Sequence, residues 1–256
     1  MNMETDGVFV EKFFKFTDEY NSGKFKIELK RIHTLAVANL MSRLSQMMGL
    51  SERFRQVAFV CGIVHDIGRF DQLKIFDSYS DKDTLDHGDL GYRILRETDF
   101  LDSFNDEEKE MICQAVKYHN KLAIDGSISG NVLLMCQLIR DADKIDNFRV
   151  NIEELSDEKR RRGLSDCILS KELFDCMCEH RMTPFELQHN DLDAYVGSLS
   201  YFFDMHFKES FVLALQQGYF GKLCTYFQPS DKESIRLVKQ IISDVEEFVN
   251  ERAAKG

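Results

Sequence analysis

The chain has 256 residues, 43% hydrophobic and 30% charged, which suits a folded globular protein with a sizeable core. Lys and Arg number 33 against 44 Asp and Glu, a formal net charge of -11. That balance, without a basic stripe, argues against long nucleic acid as a partner, because neutralising phosphates takes clustered cations. A small phosphorylated ligand held by a local site stays compatible with it.

Two prolines and 14 glycines make turns scarce and speak against a sandwich of many short strands. Residues 1–16 alternate charged and apolar side chains without the apolar core of a signal peptide. The longest apolar run, 57–64, is too short to span a bilayer, so no membrane partner is expected. The seven cysteines include no CxxC, and Cys61, Cys113 and Cys136 lie in apolar runs. Reduced, buried thiols and a cytoplasmic location are the expectation.

The elements read as helical almost throughout. Over residues 27–48, Leu29, Ile32, Ala36, Val37, Leu40, Leu44 and Met47 recur at helical spacing. Ser51 reads as an N-cap for a helix that starts near Glu52, is apolar nearly all round from 57 to 64, and stops near Gly68. Residues 71–86, carrying Ser78, Ser80, Asp81 and Asp83, read as a long loop. A helix is predicted over 87–96, and another from Asn105, with Glu108 three residues on, to His119. Residues 121–130 form a Gly/Ser loop, followed by a helix over 131–148.

Beyond this, 155–164 reads as a charge-rich connection, and Thr183, Pro184 and Glu186 as a helix start. Residues 195–227 are aromatic-rich and predicted helical; Tyr201, Phe202, Phe203, Phe207 and Phe211 suit a core or a dimer face, which leaves a homodimer open. Ser230 and Glu233 read as the cap of a last helix with Ile235, Val238, Ile241, Ile242, Val245 and Val249 on one face. A CxC at Cys176 and Cys178 on a helix points its thiols apart, and His180, His189 and His206 lie in polar or mixed segments.

The residues that carry chemistry are polar groups on apolar stripes. His33 shares a face with Leu29, Val37 and Leu40, and His65–Asp66 end the most apolar helix. His87 is in line with Leu90, Gly91 and Ile94; His119 follows Ile112, Ala115 and Val116; Asp143 follows Val132, Cys136 and Ile139. An unpaired buried polar group costs about 1–3 kcal/mol. Six such groups from five segments form a nitrogen and oxygen ligand set for one or two divalent cations, whose charge offsets the burial. Helical phase places Asp143 four past Ile139 and sets Asp141 out of register, but leaves Asp146 near the same face.

The order His33, His65–Asp66, Asp143, with VHDIGRF around His65, DHGDLGYRIL around His87, AVKYHNK around His119 and LIRDADKID around Asp143, resembles the HD-domain superfamily of metal-dependent phosphohydrolases. The resemblance covers residues 27–148 and implies an all-α, HD-domain-like helical bundle with additional C-terminal helices. It implies a single domain, with a metal-binding core over about 25–150 and a C-terminal extension over about 151–256. His33, His65, Asp66 and Asp143 would hold one metal and His87 and His119 a second, with Asp66 bridging. The family pattern favours Asp143 over Asp141 and Asp146, because its ligand sits in an Ala-Asp step before a basic residue. Mn, Fe, Ni, Co, Zn and Mg all remain candidate ions.

The implied activity is hydrolysis of a phosphate ester of a small, nucleotide-like compound, with Asp66, Arg69 and Lys144 as catalytic residues and Lys121 as a third candidate cation. The chain departs from the HD-GYP type: Asn120 and Lys121 follow His119, no Gly-Tyr-Pro occurs, and Leu29 stands four before His33 where some of those enzymes have glutamate. Two alternatives share the scaffold: a di-iron oxygenase using the same four histidines and two aspartates, and a non-catalytic nucleotide-binding module.

Overall fold

A computed structural model describes residues 3–20, 25–79, 81 and 84–254. Among them there is helix and no strand, as the periodicity requires. The chain divides into two compact units, Met1–Asp143 and Lys144–Gly256. No helix among the described residues is long and apolar enough to cross a membrane.

The first unit contains α1 (Met3–Asp18), α2 (Phe25–Met47), α3 (Glu52–Val64), α4 (Ile67–Phe76), α5 (His87–Glu97), α6 (Asp106–Tyr118) and the start of α7 (Gly130–Glu154). Ser51 caps α3 as the sequence indicates, its hydroxyl accepting from the Phe54 amide at 3.2 Å. Asn105 and Glu108 form a reciprocal capping box on α6. Phe13 of α1 is fully buried, edge-on to Phe70 of α4 at 5.7 Å between ring centroids.

Glycines set the closest helix crossings. A Cβ on Gly62 of α3 would lie 2.5 Å from the Ala38 Cα of α2. One on Gly68 of α4 would fall on the His87 carbonyl oxygen, and one on Gly91 of α5 would lie 2.8 Å from Val116 Cγ1 of α6. Backbones can approach this closely only where no side chain intervenes. The seam brings α2 through α6 together around one point.

The second unit holds the rest of α7, then α8 (Glu158–Ser165), α9 (Lys171–Cys178), α10 (Asp191–Gly197), a 3-10 turn (Ser198–Asp204), α11 (Lys208–Gln217), α12 (Tyr219–Cys224) and α13 (Lys232–Ala254). Its core stacks Phe148 on Phe202 at 4.7 Å and Phe202 on Phe211 at 6.4 Å, so part of the aromatic run is core. Leu237, Val238, Ile241, Val245 and Val249 form the buried face of α13. All seven cysteines are free; Cys176 is buried and Cys178 exposed, as opposite-facing positions on α9 require.

Several expectations need correction. The apolar stripe of α2 is rotated: Leu29 and Ile32 are exposed, while Ile27, Thr34, Ala38 and Met41 are buried. The helix predicted to stop near Gly68 breaks at His65–Asp66, and α4 then occupies the first part of the segment read as a loop. Ser80, Lys82 and Asp83 of that loop lie outside the described residues. The connection over 155–164 contains α8, capped by Asp157, whose carboxylate accepts from the Arg160 amide. Thr183 and Pro184 lead only into a 3-10 turn (Phe185–Leu187). The helix over 195–227 is interrupted repeatedly, once at Gly218 with φ 66°. Asp231, not Ser230, caps α13, accepting from the Ser234 amide at 2.8 Å.

Candidate metal centre

The six residues converge inside the first unit. Two groups have ligand atoms mutually within 4.8 Å: His33, His65 and Asp143, and Asp66, His87 and His119. His33 is contributed by the middle of α2, Asp143 by α7, His87 by the first residue of α5, and His65 and His119 by the ends of α3 and α6. The break after α3 matters here. Consecutive residues of a continuous helix point about 100° apart. Asp66, at φ -100° and ψ 15°, leaves the helical path and turns its carboxylate to the side His65 faces.

Asp66 lies between the two groups. Its Oδ2 is 3.6 Å from both His33 Nε2 and His65 Nε2. Its Oδ1 is 3.3 Å from His87 Nε2 and 3.6 Å from His119 Nε2. His33 Nε2 is also 3.1 Å from Asp143 Oδ1. Asp146, which helical phase left open, is held bidentately by Arg149 at 2.6 and 2.7 Å in the second unit, and Asp141 is buried.

Hydrogen bonds on the far side of the rings settle the tautomers. His65 Nδ1 donates to Gly62 O at 2.8 Å and His119 Nδ1 to Val116 O at 2.7 Å. A carbonyl can only accept, so each ring presents a lone pair at Nε2. His87 Nδ1 lies 2.8 Å from both oxygens of Asp81 and by the same logic donates to that carboxylate. Thus His87 Nε2 and His119 Nε2, 2.9 Å apart, face each other lone pair to lone pair. The donor set, imidazole nitrogen with carboxylate oxygen, suits a divalent transition metal, which these residues could hold.

The electrostatics agree. Burial pulls the His65 and His87 imidazoles down to about 4, so both rings are neutral near pH 7, the form that binds metal. Burial opposes ionisation of Asp66, yet Lys30 and the surrounding imidazoles outweigh it and hold the carboxyl well below the usual range. Burial likewise opposes ionisation of Asp143, and His33 holds it below its ordinary value.

Residues beyond the ligand set were less legible. Lys30 Nζ sits 2.6 Å from Asp66 Oδ2, and its place one turn before His33 is a signal that helical phase could have found. Arg69 Nε is buried without a hydrogen-bond partner, 3.7 Å from Asp66 Oδ1, while its Nη1 binds Asp81 at 3.0 Å. The Tyr79 ring lies 5.8 Å from Lys30 Nζ and 5.9 Å from the Arg69 guanidinium. Lys121 is engaged by Asp86 at 2.6 Å and Asp89 at 2.9 Å, and Lys144 by Asp204 at 2.6 Å.

Residues 31–147, a little under half of the chain, match the family model for the HD domain, which supports membership of the HD-domain superfamily. The matched segment spans all six converging residues. HD domains bind divalent metals, and most of the family are metal-dependent hydrolases. Comparison with curated proteins and with solved structures gives no match.

Proposed function

We propose that the protein is a metal-dependent phosphohydrolase acting on a mono- or diester of a small, nucleotide-like phosphorylated compound. The observation that carries the reading is Asp66, whose two oxygens address two separate imidazole pairs. In this reading His33, His65, Asp66 and Asp143 would hold one ion, and His87 and His119, with Asp66 shared, a second. Divalent cations there would lower the pKa of a bound water toward neutrality and stabilise charge growing on the phosphoryl oxygens.

The chain's own residues do the rest. The Nδ1–H donations of His65, His87 and His119 hold the Nε2 lone pairs inward without reorganisation. The unpartnered Arg69 Nε points into the space beside Asp66, where it can donate to a phosphoryl oxygen. Lys144 stands next to Asp143 in the chain, with its ammonium already held by Asp204. In hydrolysis the water oxygen forms a bond to phosphorus, the ester P–O bond breaks, and the leaving oxygen takes up a proton. The core of this activity is about 25–150, with 151–256 as the C-terminal extension.

The test is elemental analysis of the purified protein together with a screen of phosphomonoesters and phosphodiesters under Mn, Fe, Co, Ni, Zn and Mg. Asp66→Ala is expected to lose both bound metal and turnover. Full metal and full turnover in that variant would overturn the assignment. Iron with substrate-dependent oxygen uptake would replace it by the oxygenase reading, and bound metal with tight nucleotide binding but no turnover by the binding-module reading.

A further inference from the structure

In three of the four rings of the centre the outward Nδ1 has an acceptor, and two of the three find it locally. His65 and His119 follow helices, so the carbonyl three residues back, Gly62 O or Val116 O, lies under the ring. His87 is the first residue of α5 and has no preceding helical turn to supply such a carbonyl. Asp81, from the connection between α4 and α5, takes that place with both oxygens 2.8 Å from His87 Nδ1.

The Asp81 carboxylate is itself fixed from other directions. It accepts from Arg69 Nη1 at 3.0 Å, Gln72 Nε2 at 2.9 Å, Asn120 Nδ2 at 3.4 Å and the His87 amide at 3.4 Å. Arg69 and Gln72 are on α4, one and two turns past the His65–Asp66 break, so α4 holds the group that orients the ring at the start of α5.

Resting on the metal-dependent reading above, we infer that Asp81 is the positioning residue of the His87–His119 half, fixing the His87 tautomer and so setting how tightly that half retains its ion. A charged acceptor raises the basicity of the ring it holds, and losing such a partner typically weakens metal binding about 10- to 100-fold. The His33–His65–Asp143 group is a separate cluster, so its affinity is expected to hold.

The test uses Asp81→Asn, close in shape, and Asp81→Ala, with circular dichroism and melting to establish that each is folded. In the metal-free protein, long-range proton–nitrogen NMR of the imidazoles reads the tautomer directly, the His87 signals being assigned by their loss in His87→Gln. The expected wild-type ring is protonated at Nδ1, and both Asp81 variants gain the Nε2-protonated form. In equilibrium titration with Mn or Zn, one of two sites shifts by about 10- to 100-fold in the variants while the other holds. An unchanged His87 tautomer together with unchanged affinity at both sites would overturn the inference. If the wild type binds no second ion, the paired-metal reading fails instead, and the tautomer of the metal-free protein still judges Asp81.

Discussion

Gly68→Ala tests the claim that the centre depends on helix backbones in direct contact. A Cβ at this position lands on the His87 carbonyl oxygen, 2.7 Å from the Gly91 nitrogen and 3.0 Å from Leu90 Cβ. With an ordinary contact distance of about 3.5 Å, the Gly91 backbone alone must retreat by about 0.8 Å. Overpacking of this kind costs about 1–3 kcal/mol, and the helix preference of alanine over glycine returns at most about 1 kcal/mol. The expected net loss is about 1–2 kcal/mol in urea unfolding of the metal-free protein. Because His87 opens α5, its ring travels with the displaced backbone, beyond the roughly 0.2 Å a metal ligand tolerates, so metal at the His87–His119 half falls as well. Gly163→Ala in α8 is the control: no atom lies within 4 Å of its Cβ, and it should be neutral or stabilising by up to about 1 kcal/mol. A Gly68→Ala protein as stable as the control, with its metal retained, would refute the reasoning.

Other outcomes follow from the same contacts. With chelator present, the melting temperature should fall as pH drops from about 6.5 to 4. The unfolded chain protonates His65 and His87 near their ordinary value, whereas burial holds the folded rings down to about 4, so acid favours unfolding through that window. A flat melting temperature there would contradict the burial of neutral rings. Asn105→Ala removes the side-chain half of the α6 capping box, a 3.0 Å bond to the Glu108 amide. It should cost about 0.5–2 kcal/mol by urea denaturation, with metal content unchanged.

The convergence of His33, His65, Asp66, His87, His119 and Asp143 was legible because each sits on or ends an apolar stripe, and burying so many polar groups needs a common partner. The break that aims Asp66 was not, since apolar Ile67 follows it directly and no proline marks it. Helical phase alone left both Asp143 and Asp146 open; in the structure Asp143 lies with His33 and His65, while Arg149 forks Asp146. Asp81 was legible only as a polar loop residue, because its role depends on where Arg69 and Gln72 hold the connection. In the second unit, the missed α8 has a single buried residue, Leu164, so its sequence carries charge and no stripe. Its signal was the cap, Asp157.

The seam of Gly62, Gly68 and Gly91 has a consequence for how such a protein can diversify. Where main chain rests on main chain there are no rotamers to rearrange, so the framework offers few intermediate states through which a changed side chain could be accommodated. Novelty in what the molecule recognises must then accumulate elsewhere, in the connections after α4 and after α6, where substitutions alter shape and charge without moving the helices. An engineer wanting a different ligand would randomise those connections around a retained Asp81 and leave the glycines alone.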